Sequence, residues 1–513
     1  MRSIHTLPLL ACLLCPPVLA QNSPGTEHWV AFMENLDLQF NNAPSFHLVI
    51  SSEQDATGEV VVPATGFAIL FSVAAFEDVV LTLPQNIYYA EGDEAFFDFG
   101  LRVSADVPVS VYAYHDRLYF SEASLILPTT MLGSDYIVVA HDDDSDISPS
   151  EFVVLATVDG TEVEITPSVV TSSFRPPGMP FMMTLDAGQS LQIQAYEDLT
   201  GSRVRSLDPL EPIAVFCGAR QARVNCPAGG ADDHLYNQIA PLDDWGRDYI
   251  VVPYRLRGPV HVHVVAGLEP ATVNVNGVAY ALLPGAFVEL DVSVPTRITS
   301  TADIAVGQFN DSQTCNNGGS GDPSFLFLPP LDHRDHRVIW NARTGDGTPD
   351  HHVNIVMPAS ESADPIYLDG TDVSDQFEQV PNTSGFWYAQ IPIAAGHHDI
   401  QCGKPVQAVA YGFGEYNSYS FSLGYEGNVT TNVPSQPPAV DHTAFILTAG
   451  QSWNPGWNGP DQDLRIHDAS GRIVHRATVR GGAGLVLPLG EGLYYYERWV
   501  LGERLGSGRL FVQ

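Results

Sequence analysis

His261 and His263 alternate along the apolar run Val260-to-Ala266, so an extended strand sends both rings to one side. Two imidazoles at that spacing could hold zinc if a third ligand came from elsewhere; paired histidines on a strand are also an ordinary surface feature. Asp142, Asp144 and Asp146 alternate within Asp142-Asp143-Asp144-Ser145-Asp146, as oxygen ligands do at the start of a calcium loop. An EF-hand needs Gly at its sixth position and Glu at its twelfth, where this chain has Ile147 and Val153. A solvated acidic loop is therefore the competing reading; no cofactor is expected, calcium at Asp142, Asp144 and Asp146 being the possible exception. His234 follows Asp232 and Asp233, but no GxSxG elbow, HExxH helix or glycine-rich phosphate loop accompanies it, so it reads as a turn-fixing histidine. The adjacent pairs His351-His352 and His397-His398 point to opposite faces of a strand and do not chelate as pairs. No residue is assigned a catalytic role. Aromatics such as Trp387, Tyr388, Tyr411, Tyr419, Trp453 and Trp457 could stack on sugars, although sandwich strands also bury such rings.

The cysteines speak to compartment. Arg2 followed by the apolar run Leu7-to-Leu14, with Val18 and Ala20 at the −3 and −1 positions, predicts signal cleavage between Ala20 and Gln21. The lipobox-like Leu9-Leu10-Ala11-Cys12 leaves lipid anchoring at Cys12 as the alternative. Cys12 and Cys15 leave with the signal, and the remaining Cys217, Cys226, Cys315 and Cys402 form an even set suited to disulfides. The short loop between them makes Cys217–Cys226 the first expected pair, with Cys315–Cys402 by elimination. No CxxC-like spacing supports a four-cysteine zinc site.

The elements that must position these residues are strands. Forty-four glycines and thirty-eight prolines punctuate 513 residues, and no segment sustains a helical period. Phe152-to-Val158, Asp159-Gly160, then Thr161-to-Thr166 reads as a hairpin, because Asp-Gly accommodates the positive φ of a two-residue turn. Val163 and Ile165 then face a core, and Glu162 and Glu164 face water. The pattern recurs with openings at His47-to-Ser52, Phe152-to-Val158, His261-to-Val265 and Val353-to-Val356, and closings at Val107-to-Tyr114, Glu211-to-Cys217, Ala302-to-Phe309 and Lys404-to-Gly412. The spacing is roughly 90 to 110 residues, one β-sandwich each. The expected fold is all-β, with four tandem sandwich-like units spanning about 28–118, 119–225, 226–330 and 331–425; a closed radial arrangement of the four is the alternative packing.

Residues 426–441 are proline-rich and lack apolar periodicity, as a linker does. The net charge of −37 lies before them, since 441–513 carry seven arginines and seven acidic residues. That step marks 442–513 as a separate small β-domain. So acidic a chain repels nucleic acid and anionic membranes, and no segment is long and apolar enough for a transmembrane helix.

Residues 28–425 resemble the IgG Fc-binding protein N-terminal domain family. The stretches that carry the likeness are Phe152-to-Ile165, Leu185-to-Gln192 with Asp198-Leu199-Thr200-Gly201-Ser202, and Asp233-His234-Leu235 with Pro241, Trp245-Gly246 and Val251-Val252-Pro253. Gly321-Asp322-Pro323, Val353-to-Val356 and Tyr411-Gly412-Phe413 complete them. The tail is similar to the type A sorting domain of the type IX secretion system, through Leu464-to-Val474, Leu485-to-Pro488, Gly492-Leu493-Tyr494 and Gly508-to-Val512. The two resemblances imply an exported protein at the outer-membrane surface or in the medium, handled by type IX machinery. The expected function is non-catalytic adhesion to an extracellular glycoprotein or polysaccharide. A calcium-stabilised surface-layer component and a carbohydrate-active hydrolase are the alternatives.

Overall fold

Four β-sandwiches of seven to nine strands each build the larger part of the molecule. The computed structural model describes residues 21–22, 24–36, 43–84, 89–117, 119–143, 147–226, 229–315, 320–343, 350–361 and 364–427, together with the strands that lie within 445–512. Residues 1–20, including the expected signal and Ala20, lie outside them, and Gln21 begins the first described strand.

The first sandwich shows the plan. Its strands are Gly25–Val30, Ser45–Ser52, Ala56–Val62, Phe67–Val73, Glu77–Thr82, Leu101–Arg117 and Phe120–Ile126. The long strand Leu101–Arg117 serves both layers. Its first half pairs with Gly25–Val30 and Ala56–Val62, and its second half with Ser45–Ser52 and Phe120–Ile126. The third and fourth sandwiches repeat this around the long strands Thr296–Phe309 and Gly396–Gly414. In the second, the long strand is split into Arg203–Ser206 and Ile213–Ala222. Pro209 and Pro212 lie in the gap, and neither can donate to a ladder.

Alternation sets the faces as expected: Val163 and Ile165 are fully buried, and Glu162 is exposed. The Asp159-Gly160 turn is a correction. Ser150–Ala156 pairs with Ser190–Ala195 and Ile213–Ala222, whereas Thr161–Thr166 pairs with Phe181–Leu185 and Arg203–Ser206. The turn therefore carries the chain from one layer to the other instead of closing a hairpin. Every residue of Ser150–Ala156 is buried, whereas Thr161–Thr166 alternates between buried and more exposed positions, as suits an outer layer. True two-residue hairpins occur at Asn276-Gly277 and Asp369-Gly370, where Val275 faces Val278 and Leu368 faces Thr371. All four turn residues have positive φ, which is what Asn-Gly and Asp-Gly accept most readily.

The last strands of the four sandwiches, Phe120–Ile126, Asp233–Ile239, Phe325–Leu328 and Asn417–Leu423, converge on one another. Asn237 donates its side-chain amide to the carbonyls of Ala123, Phe325 and Ser420, reaching all three other sandwiches. Glu122 accepts the backbone N–H groups of Phe325 and Ser420. Contacts also close the circuit between first and fourth, where Ser51 and Tyr112 both donate to the Ile339 carbonyl. The four sandwiches thus pack radially around their last strands; the largest hydrophobic cluster runs from Trp29 to Tyr425, and the interior of the third sandwich forms a second, around Tyr249, Val262, Val264 and Ile304.

The chain divides into two compact units, residues 1–429 and 430–513. The second holds a five-stranded sheet in the order Phe445–Leu447, Glu503–Val512, Gly492–Val500, Gln462–His467, Ile473–Val479, and a short pair, Ser452–Trp453 with Leu485–Val486. Leu464 and Ile466 are buried in it.

Candidate functional site

His261 and His263 both lie on Val260–Ala266 of the third sandwich, and the structure supplies the third imidazole from the second sandwich: His141. One nitrogen from each ring lies within 4.8 Å of the others. His141 and His263 are nearly parallel, 5.1 Å apart, while His261 stands across both at 69° and 76°. Phe309 and Phe287 wall the cluster, each about one ring contact from His263.

A loop of the second sandwich positions the site. Thr200 exchanges hydrogen bonds with both backbone groups of Ala140 through its hydroxyl, and Val138 and Gly201 bond as a further pair, so the segment ending in His141 is tied to Asp198–Ser202. Asp198 accepts the N–H of Thr200 in a tight local turn, leaving Oδ2 3.8 Å from His263 Nδ1. Gly201 has φ +90°, and a Cβ there would meet the Gly285 carbonyl of the third sandwich at 2.4 Å. Only glycine lets the loop come this close.

The ring nitrogens are sorted by their partners. His261 Nδ1 lies 3.1 Å from Asp291 Oδ1, and His141 Nδ1 bonds the carbonyl of Asp142. Rings held through Nδ1–H present the lone pair of Nε2. Both nitrogens of His263 are buried without a hydrogen bond of normal geometry. Burial first, then His141 and His261, hold His263 well below the usual imidazole range against a small pull from the Ala140 carbonyl; burial and His141 also lower His261. Asp198 is pushed up to about 6 by burial, partly offset by His141.

The acidic run expected to bind calcium begins next to this cluster. Asp142 is half-buried with Oδ1 3.7 Å from His141 Nδ1. Asp143, which the alternation would leave outside, is buried and accepts the N–H groups of Ile147 and Arg223. Asp144 and Asp146 lie outside the described residues. His234 is a strand residue instead of a loop one: it is buried, its Nδ1 bonds the Ala219 carbonyl at 3.0 Å, and burial lowers its pKa to about 4. His351 bonds Tyr419 OH, His352 stacks on Tyr411, and His397 and His398 pair with Asp78 and Asp369.

The disulfide pairing is corrected. Cys226 bonds Cys315, while Cys217 and Cys402 are buried free thiols. Cys217 is fixed inside Ile213–Ala222 opposite Asn237, and nine residues of largely extended chain carry Cys226 far from it. Beyond the strand, Val224 exchanges hydrogen bonds with Ser312, which brings Cys226 against Cys315. Burial pushes the Cys402 thiol up to about 12 and the Cys217 thiol higher, so both are inert at neutral pH.

A second feature had no sequence signal beyond a Pro/Gly-rich loop. Phe174 is 85% exposed at φ +65°, and Val170, Met179 and Met182 nearby in sequence are exposed as well. The loop is nonetheless anchored. Arg175 pairs with Glu94 through two hydrogen bonds of 2.6 and 2.8 Å, Asp93 accepts the Ser173 N–H, and Gln194 accepts that of Ser172. The Arg175 guanidinium also covers Phe181 at 4.5 Å. A bulky residue held in left-handed backbone with its ring in water is strained and solvated at once.

A family model described as IgGFc binding protein matches residues 122–412, from the last strand of the first sandwich into the long strand of the fourth. The human IgGFc-binding protein is 23% identical over 417 residues, which covers 78% of this chain and 7% of the human protein. Among solved structures, the N-terminal eight Ig domains of Down syndrome cell adhesion molecule align at 10% identity and a TM-score of 0.11, covering 97% of this chain and 62% of that one. The BSP domain of a biofilm-associated protein aligns at 8% and 0.10, covering 75% and 96%. Scores this low bear on neither fold nor function. The family match extends over more than half of the residues, and the chain belongs to the IgGFc binding protein family.

Proposed function

We propose that this chain is an exported, non-catalytic binding protein that recognises an extracellular glycoprotein through the Phe174 loop of its second sandwich. The observation that carries the reading is an exposed aromatic on an anchored, strained loop. Transfer of its ring and of the neighbouring methionines out of water would contribute about 2–3 kcal/mol per large side chain, and the anchors remove most of the ordering entropy. Methionine adds a surface that adapts to irregular partners. Membership in a family whose human relative is named for binding an immunoglobulin Fc supports a glycoprotein as the partner class. A non-catalytic role is supported by where the titratable groups lie: Glu122, Asp233 and His234 are enclosed in the radial core, away from any substrate.

Export would follow signal cleavage between Ala20 and Gln21, and the similarity of residues 464–512 to type A sorting domains supports passage through the type IX machinery to the surface or medium. The test is an array of mucins, immunoglobulins and polysaccharides probed with the full chain, with and without chelator. Selective glycoprotein binding lost in Phe174→Ser supports the reading. Binding that Phe174→Ser leaves intact, or none to any glycoprotein, overturns it. Removing residues 430–513 in the producing cell should leave the protein inside the envelope.

A further inference from the structure

We propose that His141, His261 and His263, with Asp198, form a zinc-binding site that clasps the second sandwich to the third. Three neutral imidazoles and one carboxylate are the donor set of a borderline divalent transition metal, not of calcium or magnesium, which take oxygen ligands. In a tetrahedral site the donor atoms lie about 3.3 Å apart. Here the three imidazole nitrogens already lie within 4.8 Å of one another; Asp198, with Oδ2 3.8 Å from His263 Nδ1, lies beside that set and would have to turn toward it to complete the four.

Two independent features point to an ion. His263 is buried, and neither ring nitrogen makes a hydrogen bond of normal geometry, the Ala140 carbonyl acting on it only weakly, an arrangement that metal ligation would satisfy. In addition, oxygens hold the outer nitrogens of His141 and His261, as the supporting partners of metal-bound histidines do: Asp142 through its carbonyl and Asp291 through its carboxylate. The charged and titratable groups facing the cluster are Asp142 and Asp198 from the second sandwich and Asp291 from the third, and Glu289 also acts on His261. Phe287 and Phe309 flank His263, and a full set of four protein ligands describes a structural site and not a catalytic one. The ligands come from residues 141, 198, 261 and 263, so the ion would bind the loop Asp198–Ser202 to Val260–Ala266 across the contact of Gly201 with Gly285.

The test uses the full chain, stripped with chelator and titrated with zinc and, separately, cobalt. The expected result is one ion per chain, with the intense visible bands of four-coordinate cobalt; exposed adventitious sites leave cobalt six-coordinate and pale. His263→Ala and His261→Asn should abolish the bands, and Asp291→Asn should weaken binding about 10- to 100-fold. His397→Asn, outside the site, should bind like the parent. Chelation should accelerate hydrogen exchange in residues 138–143 and 260–266. His261 is only partly buried, so His261→Asn decides the matter if His263→Ala fails to fold. Absence of a stoichiometric ion, or unchanged cobalt bands in His261→Asn, overturns the proposal.

Discussion

Glu122 accepts the backbone N–H of Phe325 at 2.5 Å, joining the first sandwich to the third across 203 residues of sequence. Its other oxygen takes the N–H groups of Ala123 and Ser420. Burial outweighs these donors and holds the carboxyl well above the usual carboxylate range. Glu122→Ala strands buried N–H groups at the centre and is expected to cost on the order of 3 kcal/mol. Urea unfolding should show the loss in one transition shared by all four sandwiches; separate transitions would contradict the radial core.

The histidines predict an acid limit. His47, His234, His333, His351 and His352 are lowered to about 4, chiefly by burial. Between about 6.5 and 4 the unfolded chain binds protons that the folded chain refuses, so stability falls as pH falls through that window and levels off below it. For His234, fully buried, the loss is on the order of 3 kcal/mol. Between pH 7.5 and 5 the parent should lose more stability, or gain less, than His234→Gln, which removes this titration; the same pH dependence in both would sink the argument.

Asp322 acts with the opposite sign. Both carboxyl oxygens are buried without partners, and burial first, then Asp232, pushes its pKa up to about 8. The folded chain keeps a proton that the unfolded chain releases, so stability is lost as pH rises from about 4 to 8. Asp322→Asn removes that dependence. It should stabilise by on the order of 3 kcal/mol at pH 8 and by nothing near pH 4, read from thermal unfolding. A loss of stability at pH 8 would refute the assignment.

The Cys226–Cys315 bridge closes a loop with a sequence separation of 89. In the chain-entropy treatment such a loop is worth roughly 4 kcal/mol. Cys226→Ser and Cys315→Ser should each show a loss of that order, while Cys217→Ser should show only a packing effect. Non-reduced peptide mapping should recover residues 226 and 315 in one linked peptide; a 217–226 link would restore the pairing expected from spacing.

Much of the local plan is legible in the residues. Val163 and Ile165 declare their buried face, and four sets of strands recur at sandwich length. What escapes is decided by long-range contact. Asp159-Gly160 has the composition of a hairpin, yet the strands it joins take different distant partners, Ser150–Ala156 pairing with Ile213–Ala222 and Thr161–Thr166 with Arg203–Ser206, which no local pattern records. Radial closure rests on Asn237 reaching Ala123, Phe325 and Ser420, each roughly a hundred or more residues away. The pair His261 and His263 is visible in the strand period, whereas His141 is a single histidine 120 residues upstream. Nothing local ties it to Asp198-Leu199-Thr200-Gly201-Ser202, whose Thr200 holds Ala140 only in the folded chain.

The affinity of the full chain and of Phe174→Ser for a glycoprotein selected on the array tests the binding account most directly, with Leu70→Ser as an exposed control elsewhere. Loss of an anchor worth about 2 kcal/mol predicts a roughly 30-fold weaker Kd for Phe174→Ser and no change for the control. Equal affinities for the parent and Phe174→Ser would contradict it.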